Sequence, residues 1–188
     1  MNTIIIHGSF GSPEENWFPW LKAELEGLGV KVFAPAFPTP EGQNLDVWMK
    51  AFEEYKQYLD ADSILVGHSL GSAFILNVLE QLNTPVKAAF FVAGFVGSLE
   101  NPKFDELNRS FAYMRFDWER IKKNCGQFFV FYSDNDPYVP QEKAEELARN
   151  LGVEPILVKG AGHFNENAGY TRFELLLERI KGLGEDRV

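Results

Sequence analysis

Cysteine is nearly absent from this chain of 188 residues. Cys125 is its one copy, so no internal disulfide can form and nothing in the thiol content marks an oxidising compartment. Cys125 is expected to be a small core residue. Long apolar runs are missing too. The apolar start, Met1 to Gly8, has no basic flank and is far too short for a signal peptide or a membrane span. It reads as a β-strand of a cytoplasmic protein. Positive charge is in deficit, with 18 Lys and Arg against 27 Asp and Glu, a formal charge of −9. Such a field repels phosphate backbones and anionic lipid, which excludes nucleic acid and membrane as natural partners and favours an uncharged small substrate. There is no internal repeat or low-complexity linker. Residues 1–183 read as a single domain, 184–188 as a flexible tail, and oligomeric state is left open.

What is present is a globular composition, 45% hydrophobic with 17 phenylalanines, arranged as short β-rich runs alternating with segments of helical periodicity. That rhythm predicts an α/β fold, a six-stranded parallel sheet with helices on both faces. The strands read as Thr3–Ile6, Lys31–Ala34, Ser63–Val66, Ala88–Val92, Phe128–Tyr132 and Glu154–Val158. The segment after Ser69 is apolar around most of its circumference, with Asn77, Glu80 and Gln81 as a narrow polar side, and is expected to be the most buried helix. The long connection 94–126 reads as a lid or cap, or as an added helical layer.

Between the third strand and that helix stands Gly67-His68-Ser69-Leu70-Gly71. A strand turning sharply into a helix exposes its turn residue at the tip of the sheet in a strained backbone, and Gly67 and Gly71 remove the Cβ atoms that would collide as strand and helix close. Ser69 is therefore the candidate nucleophile; otherwise it is an ordinary helix N-cap. A serine hydroxyl needs a base titrating near neutrality, and the chain has three histidines. His68, one residue before the serine, is directed elsewhere, and His7 braces the first loop. His163, in Gly160-Ala161-Gly162-His163-Phe164, comes last in the order Ser, Asp, His expected for this elbow. Ser133-Asp134-Asn135-Asp136-Pro137 supplies the acid; Asp136 is favoured over Asp134 because Pro137 holds it extended.

Every candidate follows a strand, and in an open parallel sheet ligands bind beyond the strands' carboxyl ends. The N–H of Leu70 and that of Ser9 or Phe10 are the expected oxyanion donors, and Trp17, Trp20, Tyr138 and Phe164 could wall an apolar acyl pocket. No P-loop lysine accompanies the Gly8 to Ser12 loop, which ranks phosphate binding last. The chemistry expected needs no metal and no cofactor. A catalytically silent binding module of the same fold is the alternative from another class.

With this elbow, the His7-Gly8 loop leading to Trp17-Phe18-Pro19-Trp20-Leu21, the run Asn135-Asp136-Pro137-Tyr138-Val139-Pro140 and the pair Gly162-His163, the chain resembles the small α/β-hydrolase family of retinoblastoma-binding protein nine and its YdeN-like relatives. The resemblance covers nearly the whole length. It implies a compact α/β-hydrolase with strand order 2-1-3-4-5-6, lacking the first two strands of larger members. It further implies a serine hydrolase with Ser69 as nucleophile, Asp136 as orienting acid and His163 as base; the leading expectation for the reaction is cleavage of a small-molecule ester, thioester or amide through an acyl-enzyme. The family name points to pocket-protein binding through a Leu-x-Cys-x-Glu motif. Lys123 and Gln127 flank Cys125 at those positions here, so no pocket-protein binding is expected.

Overall fold

In a computed structural model that describes residues 1–183, and so leaves the expected tail 184–188 outside the described residues, six parallel strands form one sheet in the order β2-β1-β3-β4-β5-β6. The strands are β1 (Asn2–Ile6), β2 (Lys31–Phe33), β3 (Ile64–His68), β4 (Val86–Val92), β5 (Cys125–Tyr132) and β6 (Ile156–Leu157). The helices are α1 (Phe18–Gly27), α2 (Leu45–Lys56), α3 (Leu70–Gln81), α4 (Pro102–Ala112), α5 (Trp118–Lys123), α6 (Gln141–Leu151) and α7 (Glu174–Gly182). No helix among the described residues is long and apolar enough to cross a membrane.

Period-two alternation divides the strand side chains between two cores. Ile4, Ile6, Leu65, Ala89 and Phe91 face the cluster covered by α2 to α6. Ile5, Ile64, Val66, Ala88, Phe90 and Val92 face the one covered by α1 and α7. Both faces are dry, which is why these strands read as unbroken apolar runs. Each fully buried Ile or Phe contributes about 1.5–3 kcal/mol relative to exposure.

Strands β1 to β4 differ from expectation by one or two residues at their ends, and three elements depart further. The sixth strand shrinks to two residues because it is an edge, where Pro155 can donate nothing to a ladder and Leu157 is exposed. The fifth begins earlier, at Cys125, where Val86 pairs with it. Asn77, expected on a polar side, is buried. Its Nδ2 donates to Ala73 O at 2.8 Å and Phe111 O at 3.1 Å, joining α3 to α4. Glu80 beside it accepts from the Asp117 N–H at 2.6 Å. The polar side of α3 is thus where segment 94–126 docks, with Phe111 of α4 and Ile121 of α5 in the first core. Cys125 is buried, and burial pushes its thiol up to about 12.

Candidate active site

Because β3 runs into α3 with one residue between them, Ser69 takes φ +54° and ψ −121°, a conformation costing a non-glycine residue about 1–3 kcal/mol. The surroundings enforce it. The Ser69 N–H donates to Val92 O at 2.9 Å, tying the bend to β4. A Cβ on Gly67 would lie 2.7 Å from the carbonyl carbon of Gly71, and one on Gly71 would strike Ile6 O. Strand and helix can close this tightly only on glycine. Gly8 extends the packing to the first loop, since a Cβ there would stand 2.8 Å from Ser69 Cβ.

The loop after β5 holds the loop after β6 through three successive side chains. Asp134 Oδ1 accepts from the Gly160 N–H at 2.7 Å, and Asn135 Oδ1 accepts from the Gly162 N–H at 2.7 Å. Asp136 Oδ2 lies 2.8 Å from His163 Nδ1, while its Oδ1 accepts from the N–H groups of Tyr138 (2.8 Å) and Val139 (3.1 Å). The two side chains are 3% and 10% exposed. A carboxylate bonded to Nδ1–H leaves Nε2 as the ring's acceptor. The two neighbouring aspartates therefore do different work: Asp134 shapes a turn and Asp136 meets the histidine.

The other histidines brace this arrangement. His68 Nε2 lies 2.8 Å from the carbonyl of His163, which can only accept, so the ring donates there. Burial first, and the adjacent His163 second, push the His68 imidazole down to about 3. Trp17 Nε1–H donates to the next carbonyl, that of Phe164, at 3.1 Å. His7 Nε2 accepts from the Phe37 N–H at 2.9 Å and Nδ1 donates to Gly8 O at 2.8 Å, with burial lowering its pKa. Both rings hold backbone as neutral imidazoles.

Ser69, His163 and Gly8 share a cavity of about 410 Å³, within the range of small-molecule pockets. Leu99, Phe104, Tyr138 and Val139 give it apolar lining; Glu15, Asn16, Asn165, Glu166 and Asn167 give it polar lining. Among the described residues the Ser69 hydroxyl makes no hydrogen bond. Of the four aromatics expected at an acyl pocket, Tyr138 lines the cavity. Trp17 and Phe164 are fully buried in the second core, drawn there by α7 and by their mutual hydrogen bond, and Trp20 packs against that core beneath Arg172.

Leu70 opens α3, so its N–H has no intrahelical partner. In the first loop, the Phe10 N–H is committed to Thr39 Oγ1 at 2.7 Å and the Gly11 N–H to Gly8 O at 3.2 Å, which leaves Ser9 as the available amide and removes Phe10. With two of its amides taken, the Gly8 to Ser12 loop is no anion cradle. No cluster of three or more His, Cys, Asp or Glu among the described residues is placed to hold a metal ion.

Residues the sequence did not single out stand behind Ser9. Its Oγ donates to Asn108 Oδ1 at 2.8 Å and accepts from Gln43 Nε2 at 3.0 Å. Gln43 Nε2 also reaches Asn108 Oδ1 at 2.8 Å, and Thr39 Oγ1 donates to Gln43 Oε1 at 2.6 Å. These partners come from three distant segments with no local motif to join them.

A sequence model described as serine hydrolase matches residues 3–181. The chain belongs to the serine hydrolase family. Protein YdeN of Bacillus subtilis (strain 168) is 32% identical over 176 residues, covering 93% of this chain and 91% of YdeN. Serine hydrolase RBBP9 of Rattus norvegicus is 27% identical over 185 residues, covering 96% and 94%. The crystal structure of the ydeN gene product superposes with a TM-score of 0.92 at 29% identity, covering 98% of this chain and 99% of that one. The fold is that of the compact α/β-hydrolases.

Proposed function

We propose that this serine hydrolase cleaves small carboxylic esters, thioesters or amides through an acyl-enzyme on Ser69, with His163 as base and Asp136 as its orienting acid. The observation that carries the reading is the 2.8 Å contact between Asp136 Oδ2 and the Nδ1 of His163, whose ring lines the cavity that also holds a strained Ser69. Asp136 keeps the proton on Nδ1, so Nε2 takes the Ser69 proton as Oγ attacks the carbonyl carbon. The oxyanion is met by the N–H groups of Leu70 and Ser9, donors of a kind worth about 2.7–4 kcal/mol each. Nε2 then returns the proton to the leaving group as the C–O, C–S or C–N bond breaks, and activates water for deacylation.

A module that only binds ligand has no use for a serine held at φ +54°, which favours turnover over the silent alternative. A phosphate ligand is opposed by Glu15 and Glu166 on the lining. We read segment 94–126 as the cap that shapes the acyl side and the chain as a cytoplasmic enzyme. A fluorophosphonate probe is expected to label Ser69 and no other residue. A Ser69→Ala protein that still hydrolyses p-nitrophenyl acetate at the parent rate refutes the mechanism.

A further inference from the structure

We infer that Asn108 is a specificity-determining residue whose Nδ2 donates a hydrogen bond to an acceptor oxygen within the substrate's acyl chain. The inference rests on the proposed acyl-enzyme mechanism. Asn108 is 2% exposed and lines the cavity. Its amide orientation follows from a backbone anchor. Gln43 Nε2 shares its two hydrogens among three acceptors, Asn108 Oδ1 at 2.8 Å, Ser9 Oγ at 3.0 Å and the carbonyl of Leu107 at 3.3 Å, the last of which only accepts, while Gln43 Oε1 takes the Thr39 hydroxyl. The Gln43 nitrogen is thereby set as donor, and the Asn108 atom 2.8 Å from it must be the oxygen. With Oδ1 held by Gln43 and by the Ser9 hydroxyl, Nδ2 is left as the side chain's polar atom with no partner among the described residues. It is not among the buried polar atoms sealed away without a partner, so it opens onto accessible space.

The acyl side is assigned by chemistry. His163 must protonate the leaving group, so the leaving group lies toward His163 and the polar residues that follow it, Asn165 and Glu166. The acyl chain is left the part built by α4 and the loop before it, where Leu99 and Phe104 line the cavity together with Asn108. A pinned donor in an apolar wall goes unmatched when a purely alkyl chain binds, and a matching acceptor should raise kcat/KM by about tenfold or more.

The test is a series of p-nitrophenyl hexanoates in which an ether oxygen replaces each chain CH2 in turn, every rate normalised to hydroxide hydrolysis of the same ester. For the parent protein, one position is expected to exceed hexanoate by about tenfold. That gain should vanish in Asn108→Asp, which keeps the acceptor for Ser9 and Gln43 while presenting a second acceptor to the cavity, and in Asn108→Leu. The inference is overturned if no position in the parent series exceeds hexanoate, or if the gain survives in either variant. The parent series needs no variant to fold. A protein that labels at Ser69 but treats all the esters alike overturns this inference alone; one that neither labels nor hydrolyses overturns the mechanism beneath it.

Discussion

Replacing His68 with glutamine should flatten the acid dependence of stability. In the folded protein burial holds this imidazole down to about 3, against an ordinary value of 6.5. Between those two values the unfolded chain takes up a proton at His68 that the native chain refuses. The contribution is therefore fully present above the unfolded value and is lost as pH falls toward the folded one. Each pH unit in that window removes about 1.36 kcal/mol. At pH 4.5, two units below the unfolded value, the loss is about 3 kcal/mol, a large part of a typical stability of about 5–15 kcal/mol. Glutamine keeps a donor for the His163 carbonyl, now met by Nε2–H at 2.8 Å, and cannot titrate. His7, also buried with a lowered pKa, contributes in the same direction to both proteins and cancels in their difference. Urea unfolding at pH 7.5, 6.0 and 4.5 measures it: the parent should lose about 3 kcal/mol more than His68→Gln across that range. Parallel stability curves would show that His68 takes up its proton in the folded state, and the buried neutral imidazole would have to be abandoned.

Further outcomes are equally definite. Asp136→Asn should lower kcat by about 10⁴ by placing the proton on the wrong imidazole nitrogen, whereas Asp134→Asn, which keeps its acceptor for Gly160, should change it by less than about threefold; steady-state kinetics that rank them the other way exchange the two roles. Gly8→Ala places a methyl 2.8 Å from Ser69 Cβ, and is expected to cost about 1–3 kcal/mol by overpacking and about a hundredfold in kcat/KM by displacing the hydroxyl. Cys125, with its thiol pushed up to about 12, should resist iodoacetamide at pH 8 in the native protein and react in urea. Native labelling at the rate of a free thiol, read by mass spectrometry, contradicts its burial.

Elements were legible wherever a local rule governs them. Short β-rich runs, apolar on both faces, announced β1, β3 and β4, and Pro140 and Gly152 bracketed α6, whose C-cap glycine sits at φ +77°. The elbow glycines were legible because the steric demand lies within five residues of chain. His7 and His68 could be set aside by position, and both proved to hold backbone. Rules of that range gave no warning for Trp17 and Phe164, whose aromatic character fits a pocket wall and a core equally well; their location was settled by α7 closing over them. Nor could they separate the Ser9 amide from that of Phe10, since the deciding partner, Thr39, lies 29 residues away.

The amino-acid order alone determined the βα alternation, the strained serine between strand and helix, and the chain order of serine, acid and histidine, because each depends on sterics or periodicity over a few neighbours. Tertiary structure decided which carboxylate meets the imidazole, which first-loop amide is engaged, and that Asn108 is tied to Ser9. Those outcomes are hydrogen bonds between segments 27 to 99 residues apart, and a hydrogen bond depends on distance and angle, which exist only after the chain has packed.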